Sequence, residues 1–249
     1  MTSNNIILVS VFNNACVNIA LNFLASLKKV NLTHLHTSYV TDQNTYEIIT
    51  SKGYNCVLKT NTNFGTEKMD FATENFNLSS YFRYSVIHEL LQKYEYVWYL
   101  DVDTVVLDDI VNYFYSLIDY NKFDLFFQND LYSPVLCTGC MLVKSGKYTL
   151  NLMKLMASQT IYNKNDQDLL NELISKINNE KEFLCIGIFQ INQFVNGEIY
   201  FKEQSQFLSE QKKFRESNEP LYFVHANCMV GLDKKIQALK DKGLWFIEE

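Results

Sequence analysis

Tyr96-Val97-Trp98-Tyr99-Leu100-Asp101-Val102-Asp103-Thr104-Val105-Val106-Leu107 is the stretch on which the reading of this chain turns. Five residues suited to a buried strand run into two aspartates one residue apart, and a second short apolar run follows at once. On extended backbone, residues i and i+2 point to the same side. The spacing therefore aims the Asp101 and Asp103 carboxylates at one point just past a strand end. Two anions so placed repel and shift each other's pKa unless a cation lies between them. A divalent ion held by oxygen ligands resolves that conflict.

Upstream, the pattern alternates. Residues 6–12 form a continuous apolar run, as a strand covered on both faces requires. Residues 17–30 carry Ile19, Phe23, Leu24 and Leu27 at helical spacing. Residues 35–40 read as a strand, 46–52 as a helix stopped by Gly53, and 54–58 as a third strand. The alternation predicts an α/β fold of βαβ units, with a mostly parallel central sheet flanked by helices. Residues 61–77 are polar and aperiodic and read as a loop. Residues 78–94 return to helix, with Phe82, Val86 and Leu90 on one stripe and Arg83 beside it.

Downstream, helices are expected at 110–118, 147–158, 163–177 and 232–242, and strands at 124–128, 139–144 and 184–188. Residues 194–201 read as two strands around an Asn196-Gly197 turn. Residues 221–224 form a late strand ending at His225.

The 249 residues are 47% apolar and 20% charged, ordinary values for a soluble globular protein. Proline occurs only at Pro134 and Pro220, and no Pro/Gly/Ser-rich linker interrupts the chain, so a single domain over 1–249 is expected. A net charge of −6 argues against a nucleic-acid partner, which would require a basic face. An anionic ligand would need positive charge placed locally. The six scattered cysteines read as reduced thiols. Cys137-Thr138-Gly139-Cys140 has the form of a redox pair or half a zinc site, but no second C-x-x-C and no nearby histidine accompanies it; two structural thiols beside a turn glycine is the plainer reading. The N-terminus has no basic leader, and no apolar run reaches membrane-spanning length, so a cytoplasmic location without a transmembrane segment is expected.

A D-x-D alone is a weak signal, because a chain this long contains about one by accident. Asp166-Gln167-Asp168 is a second. Context lends weight to the first: it follows a strand in the middle of an α/β sheet, and such sheets bind ligands at the carboxyl ends of their strands.

The chain resembles the nucleotide-diphospho-sugar transferase family, glycosyltransferases of the GT-A type. The resemblance covers most of the chain. It is carried by Val11-Phe12-Asn13-Asn14, Ser80-Tyr81-Phe82-Arg83, the Val97 to Asp103 stretch, Thr138 to Val143, Asn165-Asp166-Gln167-Asp168, Phe194-Val195-Asn196-Gly197, and His225-Ala226-Asn227 with Gly231 and Lys234. It implies a Rossmann-like GT-A domain that moves a sugar from a UDP-sugar to a hydroxyl of a glycan or glycoprotein. It further implies that Asp101, Val102 and Asp103 meet the donor, with Asp101, Asp103 and His225 holding Mn²⁺. Mg²⁺ is the lesser alternative, since an imidazole ligand favours manganese.

By the same resemblance, Val11, Phe12 and Asn13 hold the uracil nucleoside and Gly231 lets backbone N–H groups approach phosphate. Lys234 meets the diphosphate, although Lys235 beside it competes for that role. Arg83 contacts the donor, or is simply an ion-pair arginine. Asp166 and Gln167 line the sugar pocket and steer transfer, or Asp166 and Asp168 merely complement a helix N-terminus. His225 otherwise reads as a hydrogen-bonded histidine at a strand end. Retention of anomeric configuration is expected, and residues 61–77 are expected to meet the acceptor or close over the donor. A non-catalytic nucleotide-sugar-binding protein of the same fold and a metal-dependent phosphohydrolase are the rival readings.

Overall fold

The computed structural model describes residues 5–60, 74–118, 122–132, 135–159, 164–179 and 184–248. Their strands, in chain order, are β1 (Ile6–Phe12), β2 (His36–Val40), β3 (Cys56–Leu58), β4 (Tyr96–Leu100), β5 (Thr104–Val106), β6 (Leu125–Asn129), β7 (Leu136–Lys144), β8 (Ile186–Ile188), β9 (Phe194–Val195) and β10 (Phe223–His225). The helices are α1 (Val17–Lys29), α2 (Gln43–Ser51), α3 (Glu74–Leu90), α4 (Ile110–Ile118), α5 (Lys147–Ala157), α6 (Asp166–Asn179), α7 (Gly197–Tyr200), α8 (Leu208–Glu216) and α9 (Leu232–Asp241).

Seven strands form one sheet in the order β3-β2-β1-β4-β7-β6-β8. Its pairings are parallel except those of β7, which runs antiparallel to both β4 and β6. All five residues of β4 are buried. They alternate between two cores, as a strand of period two must. Tyr96, Trp98 and Leu100 pack with Phe23, Phe114 and Phe194 on one face, while Val97 and Tyr99 pack with Tyr84, Met141 and Met153 on the other.

From β1 the chain steps outward to β2 and β3 and then returns through α3 to place β4 on the other side of β1. The strand order reverses there, and such a switch leaves an open crevice at the strand ends. Phe12, the last residue of β1, and Asp101, just past the end of β4, line it. A smaller sheet, β5-β10-β9, continues from β4. Antiparallel pairing sets His225 opposite Thr104 and so brings the late strand beside the paired aspartates.

Three segments depart from the sequence reading. The Asn196-Gly197 pair starts a helix and not a hairpin: the Asn196 side chain accepts from Ile199 N–H and caps α7. Helix α3 begins at Glu74, inside the stretch read as a loop; 61–73 lie outside the described residues. Helix α8 was unforeseen, because it buries only Gln211 and carries little apolar pattern. No described helix is long and apolar enough to cross a membrane.

His36 opens β2 and is buried, with Ser10 Oγ 2.9 Å from its Nε2. Burial pushes its pKa from 6.5 down to about 3. The unfolded chain takes up this proton near pH 6.5 and the native chain does not until about 3, so the unfolded state is favoured as pH falls through that window. Replacing His36 with Gln should make the loss of stability with falling pH shallower by about 1.4 kcal/mol per pH unit, which urea unfolding of both chains at neutral and mildly acidic pH will measure.

Candidate active site

The two aspartates leave β4 in a tight turn. Asp101 N–H donates to Gly139 O at 2.8 Å, holding the turn against β7. Thr104 N–H and Thr104 Oγ1–H both donate to Asp101 O, at 3.2 and 2.8 Å. The carboxylates therefore converge because the backbone turns between β4 and β5, and not by the alternation of an extended strand. Ala226 N–H donates to Asp103 O at 2.9 Å, which docks the end of β10 on the turn. Asp101, Asp103 and His225 then offer ligand atoms that all lie within 4.8 Å of one another.

Gly139 makes this convergence possible. A Cβ there would stand 2.5 Å from His225 Cε1 and 2.6 Å from Asp101 Oδ2. No side chain fits at such distances without moving one of the two.

Two basic side chains meet Asp103. Lys235 Nζ donates to Asp103 Oδ2 at 2.5 Å, and His225 Nε2 lies 3.2 Å from Asp103 Oδ1. Burial pushes the Asp103 pKa up, but Lys235 and His225 outweigh it and hold the carboxyl well below the usual carboxylate range. Lys234 is exposed and stands outside the cleft, so the lysine that faces the cluster is Lys235.

Arg83 projects from α3. Its Nη1 lies 3.2 Å from Asp101 Oδ1 and donates to Thr138 O at 3.1 Å; its Nε lies 3.8 Å from Asp166 Oδ2. The guanidinium also sits over the Tyr99 ring at 4.8 Å. Burial opposes its charge, yet Asp101, Tyr99 and Asp166 raise its pKa well above the ordinary value. Arg83 thus borders the cleft as an ion-pair arginine, with Nη1 and Nε directed at protein acceptors.

The first turn of α6 completes the wall. Asp166 accepts from Tyr84 O–H at 2.7 Å. Gln167 Oε1 accepts from Thr138 N–H at 3.2 Å, and its Nε2 donates to Asp130 Oδ2 at 3.0 Å. Asp168 pairs instead with Asn165, accepting from its Nδ2 at 2.6 Å, in keeping with a helix-start role. Asp130 also accepts from Asn227 Nδ2 at 2.7 Å. Sequence reading assigned Asp130 no part, although its place just past the end of β6 is the position from which strand-end residues face a crevice.

The cleft so formed has a volume of ≈ 600 Å³, ample for a nucleotide-sized ligand. Val11, Phe12 and Asn13 line it at the end of β1, and Gly231 borders it at the start of α9 with φ +103°, a backbone conformation that favours glycine. Val102 lines it between the aspartates. Cys137 and Cys140 are buried free thiols on β7; burial pushes Cys140 up to about 12, which leaves it protonated and inert.

Residues 34–239 match the family profile of nucleotide-diphospho-sugar transferases. The chain belongs to that family. No curated protein matches it in sequence.

Among solved structures this transferase-family chain is similar to the glycosyltransferase GlyE of Streptococcus pneumoniae TIGR4, with a TM-score of 0.59 and 16% identity over 100% of this chain and 66% of that one. It is also similar to the galactosyltransferase LgtC, solved with donor and acceptor sugar analogs (TM-score 0.55, 12% identity, 97% of each chain covered). Mouse xyloside xylosyltransferase 1 gives a TM-score of 0.52 at 12% identity, with 90% of this chain and 98% of that one covered. At these identities the likeness is one of fold, and the fold is GT-A. The chain spans 66% of the length of GlyE and 50% of that of WbbM, a bifunctional glycosyltransferase.

Replacing Gly139 with Ala should spread the cluster and cost about 1–3 kcal/mol of stability, as inserting a methyl into a packed site does. Denaturant unfolding will check it; an unchanged midpoint would mean that β7 yields freely at this point.

Proposed function

We propose that the protein transfers a sugar from a UDP-sugar to a hydroxyl of a glycan or glycoprotein, with a divalent cation and with retention of anomeric configuration. Residues 1–249 act as one domain in this reading. Its six cysteines, all free, suit the reducing cytoplasm. One observation carries the proposal: Asp101, Asp103 and His225 converge at the switch point of the sheet, in a cleft that Lys235 and the start of α9 also face.

Two carboxylates and one imidazole suit Mn²⁺ better than Mg²⁺, which prefers oxygen ligands alone. Held there, the ion supplies neutralising charge for a departing diphosphate.

The chain's own residues do the rest. Val11, Phe12 and Asn13 hold the nucleoside at the end of β1. Lys235 turns from Asp103 to a diphosphate oxygen, and N–H groups near Gly231 at the start of α9 donate to the same anion. These donors act on charge that grows as the anomeric carbon–oxygen bond breaks, so they favour the transition state over bound substrate. Arg83 keeps Asp101 and Asp166 fixed, while Asp166 and Gln167 shape the sugar pocket. The acceptor hydroxyl attacks the anomeric carbon on the face the diphosphate leaves, and its proton passes to a departing phosphate oxygen. Asp130 and Asp166 are each tied to protein donors, which supports this same-face route over a covalent glycosyl carboxylate.

Titrating UDP in the presence of Mn²⁺ tests the site. Asp103→Ala should abolish metal-dependent binding and Lys235→Ala should weaken it about 10–100-fold, the range for a hydrogen bond to a charged group, while Lys234→Ala leaves it unchanged. Unaltered affinity in Asp103→Ala would sink the metal assignment.

Anomeric proton NMR of the first sugar released or transferred from a panel of UDP-hexoses tests the chemistry. The donor's α configuration should persist in the product. An inverted product refutes retention, and a protein that binds UDP-sugars but frees no UDP is a binder without activity.

A further inference from the structure

Strand β6 changes register in mid-course. Leu125, Phe126 and Phe127 face Val143, Leu142 and Met141 on β7, but Gln128 faces Cys137, so the pairing jumps between Phe127 and Gln128. Irregularities of this kind re-aim a side chain. Here Gln128, fully buried, reaches His225: its Oε1 lies 2.7 Å from His225 Nδ1.

The orientation of the Gln128 amide follows from its second contact. Its Nε2 donates to the backbone carbonyl of Phe194 at 3.3 Å. The reversed amide would set two acceptors against each other there. The Gln128 oxygen therefore faces the imidazole, and an amide oxygen only accepts, so Nδ1 must carry a hydrogen. Cys137 Sγ, the other polar atom near Nδ1, is 3.9 Å away and competes poorly. On the far side of the ring, Asp103 Oδ1 lies 3.2 Å from Nε2 and pulls the opposite way, toward a proton on Nε2.

We propose that Gln128 is a positioning residue that keeps a proton on Nδ1 of His225, so that the Nε2 lone pair is available to a divalent ion shared with Asp101 and Asp103. Its purpose rests on the metal reading above; its geometry does not. A histidine that ligates through one nitrogen is fixed in tautomer and rotation by what its other nitrogen donates to. Without the Gln128 oxygen, the neutral ring places its hydrogen on Nε2, toward Asp103, and the ligand atom is blocked.

The test uses the whole chain with ¹⁵N-labelled histidine, free of metal, at about pH 8, where an ordinary imidazole is neutral. Long-range proton–nitrogen correlation reads which ring nitrogen is protonated, and His225 is assigned by the signals lost in His225→Gln. The wild type should show a proton on Nδ1. Gln128→Met, similar in shape but without an acceptor, should move it to Nε2. Gln128→Glu, whose carboxylate accepts from Nδ1 although it gives up the donation to Phe194 O, should restore it.

Mn²⁺ binding with UDP present, counted from the paramagnetic resonance of free ion, should weaken about 10–100-fold in Gln128→Met and by less in Gln128→Glu. A wild-type ring that carries a hydrogen on Nε2 at this pH, with or without one on Nδ1, overturns the proposal, as does a Gln128→Met protein that keeps both the Nδ1 proton and the Mn²⁺ affinity. The wild-type spectrum decides the tautomer even if Gln128→Met fails to fold. A wild type with the Nδ1 proton but no affinity for Mn²⁺ would refute the metal reading and leave the hold of Gln128 on the ring standing.

Discussion

Asp101 and Asp103 sit where carboxylates are costly, at the end of a fully buried strand, and much of the cleft consists of what offsets that cost. Lys235 and His225 meet Asp103, while Arg83 and the Tyr99 hydroxyl meet Asp101. These partners come from α9, β10, α3 and β4, so one charge-balanced turn ties together segments more than a hundred residues apart. Anions with cations fixed around them make a preorganised polar environment in the cleft.

The close approach depends on backbone shape as much as on charge. Gly139 lets β7 pass against the carboxylate and the imidazole together, and the register jump in β6 carries Gln128 to the same ring. At Gly197 an added Cβ would stand 2.0 Å from Asn227 O, so the glycine there lets α7 pack on the chain just past His225. Glycine is the residue that permits such contact between backbones. These positions are where an α/β sheet of ordinary topology becomes a specific site.

The position of the cleft was legible for physical reasons. The β4 run, buried on both faces, ends in acids, and a strand end at the switch point of a parallel sheet is where ligands bind. Lys234 was expected at the cleft, and Lys235 is the lysine that lines it. Leu232 at the start of α9 lines the cleft, and Lys235 lies one turn on from it and lines the cleft too, whereas Lys234 turns to solvent. The helical spacing held that information. Asn196-Gly197 was ambiguous, since the same dipeptide suits a hairpin turn and a helix cap. The local cap of Asn196 on Ile199 N–H forms because Gly197 N–H donates to Asn227 Oδ1, and that partner is brought in from thirty residues away.

By itself, the sequence determined the α/β class, the order of most elements and the chemical character of the site, because periodicity and residue type are local properties. The tertiary structure decided how the site is assembled. The carboxylates meet through a turn held by Gly139 and Thr104, Arg83 is spent on Asp101 and Asp166, and Gln128 and Asp130 join from β6 and the residue just past it. Apart from the local Thr104 contact, these join residues far apart in the chain, and those between strands depend on register, which is set by the packing of the whole sheet.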